Sequence, residues 1–189
     1  MEVISTKIPD VKVIQPRVFG DERGFFFESF NKKKLEEALN RPLNFVQDNV
    51  SSSKRGVLRG LHYQIRHAQG KLVQVLAGEV FDVALDIRRS SPTFGQWVGE
   101  ILSAQNQKQF WVPEGFAHAF FVLSEIAVFH YKVTDYWYAE HERCIKFDDP
   151  AIKISWPTKS AGDTKPIAPV LSQKDAEGEF LKDADIFDI

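Results

Sequence analysis

The sequence predicts an all-β fold of the sandwich or jelly-roll type, with a few short helices at its periphery. Most apolar segments are short and separated by turn-forming residues, which is typical of antiparallel β proteins. Apolar and polar residues alternate from 81 to 87, the period of a strand with one buried face. Aromatic residues make up 13% of the chain, and 16 of them are phenylalanine, which suits strands and pockets lined by flat rings.

The strands are expected in the following order. Residues 11–14 and 25–30 add strands at the start. Residues 71–76 end at Ala77 and Gly78, and a strand starts at Val80, so we expect a hairpin there although Ala-Gly is not a favoured turn dipeptide. The later strands are expected at residues 97–102, 109–112, 119–123 and 127–134.

Two helices are predicted. Residues 31–39 carry leucines and an alanine at helical spacing, and Ser29 or Asn31 could cap them. Residues 172–175 have the form of a capping box before a short helix near the C-terminus. Residues 150–169 are rich in Pro, Gly, Ser and Lys and are expected to form a connecting arm. We expect one domain over residues 1–189, with the C-terminal arm and short helix covering about 158–189.

Composition excludes several classes of function. The net charge of -2 provides no general attraction to nucleic acid or to an acidic membrane surface, so we expect neither as a partner. Cys144 is the only cysteine, which excludes an internal disulfide and favours the reducing cytosol. The first residues lack the pattern of a signal peptide, and the most apolar region, 110–131, is interrupted by polar residues and a proline. A cytoplasmic protein is therefore expected.

Two histidine-containing segments are candidates for chemistry. In residues 57–64, His62 follows Arg59 within an apolar run that is expected to be a strand. His118 ends the predicted tight turn that begins at Pro113. In a regular strand Arg59 and His62 would point to opposite faces, so a shared pocket requires a bulge or kink, which we predict near Gly60.

The spacing Pro113, Gly115, His118 resembles the second motif of the cupin barrels. A metal cupin also has a His-x-His pair, but here the corresponding residues are His62-Tyr63-Gln64, and the second histidine is missing. A stable divalent site needs three or four nitrogen or oxygen ligands. The sequence therefore predicts a cupin-like jelly roll that uses acid-base chemistry, with no metal and no other cofactor.

Several segments together resemble the dTDP-4-dehydrorhamnose 3,5-epimerase family. They are residues 16–28, 45–49, 56–64, 69–73, 80–88, 91–95, 111–118, 131–134 and 171–175. The resemblance implies inversion of C3 and C5 in dTDP-4-dehydro-6-deoxy-D-glucose, a dTDP-4-keto-6-deoxyhexose, to give dTDP-4-dehydro-L-rhamnose for surface polysaccharide. The C4 ketone acidifies both C–H bonds, so the site needs a base on one face of the ring and an acid on the other.

The resemblance also implies roles for individual residues. The catalytic set is His62 as base, Asp175 as its orienting partner, Tyr131 as acid and Lys71 near the C4 oxygen. Arg23 and Arg59 are implied to bind the diphosphate, with help from Lys174. The remaining implied substrate contacts are Glu28, Gln47, Asn49, His118 and Glu142, with Phe19 and Tyr136 stacking on thymine.

Several of these roles have a plainer structural alternative. His62 could be a core histidine whose hydrogen bonds are satisfied. Asp175 could be only a capping residue, and Tyr131 only an inward strand aromatic. Lys71 could be a solvated charge at a strand end, and His118 a turn histidine bonded to the backbone. Phe19 and residues 25–27 could belong to the barrel core.

Small departures from the family pattern leave its substrate preference open. The loop 65–69 is one residue shorter, Val50 replaces a frequent histidine, Trp137 replaces a frequent tyrosine, and the arm before Leu171 is longer. A related epimerase acting on C3 or C5 alone therefore remains an alternative. A metal-dependent cupin and a non-catalytic sugar-nucleotide-binding barrel are two further alternatives.

The family is dimeric, with strands exchanged between subunits. The resemblance therefore implies a homodimer in which residues near Arg23 and Glu28 complete the pocket of the neighbouring subunit.

Overall fold

The computed structural model describes residues 1–159 and 166–188 and is dominated by β-strands. The strands are β1 Glu2–Ser5, β2 Lys12–Gln15, β3 Val18–Asp21, β4 Gly24–Phe27, β5 Gln47–Lys54, β6 Leu58–Gln64, β7 Lys71–Ala77, β8 Glu79–Asp86, β9 Trp97–Ser103, β10 Gln109–Val112, β11 Phe116–Val122, β12 Ile126–Val133 and β13 Glu142–Cys144. The helices are α1 Lys32–Leu39 and α2 Gln173–Ala176, with a 3-10 turn at Ala139–His141. Among the described residues, no helix has the length and apolar character needed to cross a membrane.

Two antiparallel sheets face each other as a cupin-like jelly roll, which confirms the predicted fold class. A six-stranded sheet has the order β1-β2-β10-β7-β12-β5, and a five-stranded sheet has the order β13-β6-β11-β8-β9. The main apolar core joins Val73 and Phe129 of the first sheet to Val80 and Phe120 of the second. The two sheets are therefore held together by the side chains that they bury between them.

The predicted hairpin between residues 71–76 and the strand starting at Val80 is wrong. Strand β7 pairs with β10 and β12, whereas β8 pairs with β9 and β11 in the other sheet. Gly78 forms the corner between the sheets with φ of +79°, and a Cβ added there would lie 2.1 Å from the Ile126 carbonyl oxygen. A glycine corner therefore moves the chain from one sheet to the other.

The strand predicted at residues 81–87 is confirmed as β8, but the prediction that only one of its faces is buried is wrong. Asp82, Ala84 and Asp86 were expected to face solvent, but all three are fully buried. Strand β8 lies between two neighbours in the sheet and is covered on both faces, because residues of the C-terminal segment such as Leu181 pack on the outer side with Val83.

Both predicted helices are present. Asn31 caps α1 by accepting a hydrogen bond from the Lys34 backbone N–H, and Leu35 is buried. Ser172 caps α2 by accepting one from the Asp175 backbone N–H. These caps fix where each helix begins.

The expected C-terminal arm and short helix, about residues 158–189, pack on the protein over residues 166–188. Residues 160–165 of that arm lie outside the described residues. Beyond them the chain bridges to the five-stranded sheet at Val57–Val170 and Ile145–Glu179. Ala184 and Ile186 are buried against the same sheet. This course brings α2, and with it Asp175, to Gly60 and His62 in the middle of β6.

Strands β3 and β4 form a separate hairpin whose apolar residues are not part of the core. The pairs run from Val18–Phe27 to Asp21–Gly24. Phe19 is 52% exposed, Phe25 63% and Phe26 72%. The interpretation of these three phenylalanines as barrel core is therefore wrong.

Candidate active site

A cavity of about 430 Å³ lies between the two sheets. Strands β5, β7 and β12 of the six-stranded sheet and β6, β11 and β13 of the five-stranded sheet contribute to its walls. The lining residues are Asn49, Val50, Ser51, Arg59, His62, Gln69, Lys71, His118, Phe120, Phe129, Tyr131, Trp137, Glu142 and Lys174. Its size is that of an ordinary small-molecule site.

Strand register places one group of polar side chains on the inner face of the six-stranded sheet. Tyr131 lies opposite Asn49 on β5 and Val73 on β7. Lys71 is two residues before Val73 on β7, and Gln47 is two residues before Asn49 on β5. Since side chains repeat their direction every two residues, all of these face the cavity side.

A bulge in β6 brings Arg59 and His62 to the same side of the five-stranded sheet. His118 pairs with His62, and Phe120 pairs with Arg59, so two steps along β11 correspond to three along β6. Gly60 has φ of +117°, and a Cβ added to it would lie 2.4 Å from the His118 carbonyl oxygen. The bulge predicted near Gly60 is confirmed, and Arg59 and His62 both line the cavity.

His62 is bound to a buried carboxylate. Its Nε2 lies 2.6 Å from Oδ1 of Asp175, whose other oxygen accepts a hydrogen bond from the Ser172 hydroxyl at 2.6 Å. The Gly60 backbone N–H also donates to Oδ1 at 3.2 Å. Burial opposes ionisation of Asp175, but the bonds from His62, Ser172 and Gly60 outweigh it and lower its pKa to about 2. Because an ionised carboxylate accepts the Nε2 proton, Nδ1 is the ring nitrogen that keeps a lone pair.

Asp175 therefore satisfies both of its interpretations. Its backbone N–H is bonded to the capping Ser172 hydroxyl, and its side chain is bonded to His62. The helix cap fixes the position from which the carboxylate reaches the imidazole.

Tyr131 and Lys71 face His62 from the other sheet. Burial, and to a smaller extent the charge of Glu142, raises the pKa of the Tyr131 hydroxyl, which is therefore protonated at neutral pH. Burial lowers the pKa of Lys71 to about 8, and its ammonium donates to the His62 carbonyl oxygen at 3.4 Å. Lys71 is 8% exposed, so it is not a solvated strand end.

His118 lies in β11, so its expected place in a tight turn is wrong. The ring is 7% exposed, and its Nε2 lies 2.9 and 3.0 Å from the two carboxylate oxygens of Asp82. Burial raises the pKa of Asp82 above its usual value, although His118 opposes the rise. His118 is therefore bonded to the Asp82 side chain and not to the backbone, as the alternative had it. The sequence did not indicate Asp82 as a site residue, because the alternation in residues 81–87 placed it on the solvent face.

Glu142 and Lys174 meet at the edge of the cavity. They form an ion pair, and the Trp137 indole Nε1 donates to the second Glu142 oxygen at 3.2 Å. Burial opposes ionisation of Glu142, but the bonds from Lys174 and Trp137 help to keep its pKa below the usual value. Trp137 was noted in the sequence only because it replaces a tyrosine that is frequent in the family, but it is part of the cavity wall.

The other lining residues that were not among the predicted site residues are Val50, Ser51, Gln69, Phe120 and Phe129. Ser51 shares the two-residue spacing of Gln47 and Asn49, which could have indicated it. The two phenylalanines resemble ordinary core residues, and Gln69 lies in a loop.

Five predicted substrate contacts are not among the residues that line the cavity, and of these only Gln47 is bonded to a lining side chain, that of Asn49. Arg23 is paired with Asp21 on the β3–β4 hairpin, and its side chain is 85% exposed. Phe19 lies on the same hairpin, Glu28 follows it, and Tyr136 is 54% exposed. The cavity wall therefore holds eight of the fourteen predicted site residues. Asp175 and Gln47 lie next to it, bonded to the lining residues His62 and Asn49, and the remaining four lie outside it.

Among residues 1–159 and 166–188, His62, Cys144 and Asp175 place their donor atoms within 4.8 Å of one another. Burial raises the pKa of Cys144 to about 12, so the group is a thiol at neutral pH and not the thiolate that binds metals. Asp175 already accepts hydrogen bonds from His62, Gly60 and Ser172. This donor set does not fit a metal ion, and the absence of metal and cofactor stays a prediction.

Comparison with known proteins shows similarity along almost the whole chain. The sequence model for the dTDP-4-dehydrorhamnose 3,5-epimerase family matches residues 5–183. A dTDP-4-dehydrorhamnose 3,5-epimerase from Pseudomonas aeruginosa is 61% identical over 187 residues, covering 99% of both chains. One from Shigella flexneri is 56% identical over 188 residues, also covering 99% of both. The crystal structure of a dTDP-6-deoxy-D-glucose-3,5-epimerase from Legionella pneumophila, in complex with dTDP-4-keto-L-rhamnose, is 55% identical. It superimposes with a TM-score of 0.91 over 97% of this chain and 94% of that one.

Proposed function

The chain belongs to the dTDP-4-dehydrorhamnose 3,5-epimerase family, and from this we propose how the residues of its cavity divide the reaction between them. It is an isomerase that inverts C3 and C5 of dTDP-4-dehydro-6-deoxy-D-glucose to give dTDP-4-dehydro-L-rhamnose. The reaction removes and returns protons next to the C4 ketone.

His62 is the general base. Asp175 accepts the Nε2 proton and leaves the lone pair on Nδ1, and the carboxylate then stabilises the imidazolium that forms. One imidazole can serve both carbons in turn, because C3 and C5 flank the same ketone. The bulge at Gly60 supports this role, since it turns His62 and Arg59 toward one cavity.

Tyr131 is the acid that delivers the proton to the opposite face of the sugar. The observation that carries this proposal is that His62 and Tyr131 reach one cavity from facing sheets. Inversion requires removal from one face and return to the other, which two groups on one wall could not achieve. The raised pKa of Tyr131 keeps its proton available at neutral pH.

Lys71 stabilises the enolate oxygen at C4. A buried ammonium beside developing negative charge is worth more than the same charge in water. With its pKa lowered to about 8, Lys71 is charged at neutral pH but can also lose its proton.

The nucleotide is bound at the cavity edge. Arg59 contributes a guanidinium that suits the diphosphate, and Lys174 a second cation. Asn49, Gln47, Glu142 and His118 contribute polar groups for the sugar and nucleotide. Phe19 and Tyr136 stack on thymine, and Arg23 and Glu28 complete the binding of the nucleotide.

The position of Arg23, Glu28 and Phe19 outside the cavity supports a homodimer. The β3–β4 hairpin exposes large apolar residues beside them, which favours insertion into a second copy. Mixing and refolding Arg23→Ala with His62→Asn chains tests this. If Arg23 acts in the neighbour's site, heterodimers regain one intact site, and about a quarter of all sites become active after random pairing. No recovery would mean that Arg23 acts in the site of its own chain, whereas activity of Arg23→Ala before mixing would mean that Arg23 is not needed.

The single cysteine and the net charge also support a cytoplasmic location with no nucleic acid or membrane partner. We further propose that residues 1–189 form one domain, because residues 166–188 pack on the five-stranded sheet.

The direct experiment is incubation with dTDP-4-keto-6-deoxyglucose in heavy water, with label at C3 and C5 followed by NMR. Wild-type protein should label both carbons and form the L-rhamnose configuration, and His62→Asn should do neither. Labelling of C3 alone or C5 alone would identify an epimerase that acts on a single centre. Binding with no labelling would identify a non-catalytic barrel.

A further inference from the structure

Residues 135–138, here called the tryptophan segment, connect β12 to the 3-10 turn and carry Trp137. The segment contains no helix or strand. Side chains from elsewhere in the fold bind its backbone instead. The Gln69 carboxamide donates to the Asp135 carbonyl oxygen at 2.8 Å, and the Gln47 carboxamide oxygen accepts from the Trp137 N–H at 3.1 Å.

Gln64 holds the tryptophan segment on both sides of Trp137. It is the last residue of β6 and is 3% exposed. Its carboxamide nitrogen donates to the Tyr136 carbonyl oxygen at 3.1 Å, and its oxygen accepts from the Tyr138 N–H at 2.6 Å. The same nitrogen donates to the His67 carbonyl oxygen at 2.7 Å, which ties the loop before β7 to the tryptophan segment.

The position of Trp137 has consequences for the cavity. Its ring forms part of the wall, and its indole N–H holds Glu142, the partner of Lys174. An irregular segment fixed by side-chain hydrogen bonds shifts when a bond that fixes it is lost. A shift of Trp137 would open the cavity wall and break the hydrogen bond from its indole N–H to Glu142.

We propose that Gln64 is a positioning residue that acts through Trp137 and sets the affinity for the sugar nucleotide. The inference rests on the proposed function of the cavity. Trp137 and Glu142 are on the wall and are not the groups that move protons. Their contacts are therefore made in the ground state and the transition state alike, and their loss raises KM with little change in kcat.

The test replaces Gln64 by methionine, which keeps the length of the side chain and removes its hydrogen bonds. Gln109→Met is the matched control, because Gln109 is also buried, at 4% exposure, and also donates to a main-chain carbonyl, that of Ser29. Gln64→Met should raise KM for dTDP-4-keto-6-deoxyglucose about tenfold, with kcat within about twofold of wild type. Gln109→Met should leave both constants unchanged.

A double-mutant cycle shows whether the effect passes through Trp137. In a Trp137→Ala background, Gln64→Met should change KM by less than about twofold. Should Gln64→Met not fold, Gln64→Glu takes its place, since the carboxyl oxygen still accepts from the Tyr138 N–H. An unchanged KM, an equal rise in Gln109→Met, or a full effect without the indole would each overturn the proposal. Failure of the proposed function is separate, because it would appear as persistent labelling by His62→Asn.

Discussion

Replacing Asp175 by asparagine should slow proton abstraction at both C3 and C5. The carboxylate lies 2.6 Å from Nε2 of His62, and the Asp175 side chain is 4% exposed. A charge-assisted hydrogen bond of this kind contributes about 1.5–3 kcal/mol, which corresponds to a factor of roughly 10 to 150 in rate if it is lost at the imidazolium-like transition state. An asparagine NH2 facing Nε2 would also favour the tautomer that carries its proton on Nδ1, which removes the base. We therefore expect a loss of at least about a hundredfold.

The assay is deuterium uptake from heavy water at each carbon, measured by NMR under saturating substrate. Both rates should fall by the same factor, since one base serves both positions. Ser172→Ala is the control, because it removes a donor to Asp175 and a helix cap but leaves the His62 bond in place. Uptake at the wild-type rate in Asp175→Asn would refute the assignment of this carboxylate, and a loss at one carbon alone would refute the single base.

Three further outcomes are expected. Tyr131→Phe should still take up deuterium at C5 but complete inversion more slowly, because the base is intact and the acid is missing; product formation and label, measured in the same sample, check this. The kcat of the wild-type protein should fall as pH rises through about 8, because Lys71 loses its charge there. The pH profile of Lys71→Met, whose kcat is lower throughout, should lack that fall. Asp175 has a pKa of about 2 in the folded chain and 3.8 as its ordinary value, so the unfolded chain binds more protons between these pH values. Ionised Asp175 thus contributes on the order of 2 kcal/mol to the free energy of unfolding above about pH 4, and this contribution is lost toward pH 2. The free energies of unfolding of wild type and Asp175→Asn, measured by chemical denaturation, should therefore approach each other as the pH falls through that range.

The sequence predicted strands best where apolar side chains are buried in ordinary core, as in β10, whose four residues are all buried. Residues 109–112 coincide with β10, and the α1 cap at Asn31 was among the two expected. Strand β5 was not predicted, because its inward side chains are polar: Asn49 and Ser51 line the cavity, and Gln47 is bonded to Asn49. Gly78 was interpreted as a hairpin turn because sequence spacing does not reveal which sheet each strand joins.

Some residues of the site could be predicted from their chemistry, some only from the family resemblance, and Asp82 from neither. The bulge at Gly60 followed from the chemical requirement that Arg59 and His62 share a pocket. The assignment of Asp175 required the family resemblance, since it lies 113 residues from His62 and has the pattern of a helix cap. Asp82 could not be recognised, because a buried acid requires a partner and His118 lies 36 residues away on a different strand.

In the proposed mechanism an imidazole and a phenol from facing sheets flank one sugar ring. A crystal structure of Tyr131→Phe with dTDP-4-keto-6-deoxyglucose bound would show whether they do. We expect Nδ1 of His62 within about 3.5 Å of C3 or C5 on one face, with the ring of residue 131 over the other face. A sugar lying on one side of both residues, or His62 remote from both carbons, would contradict it.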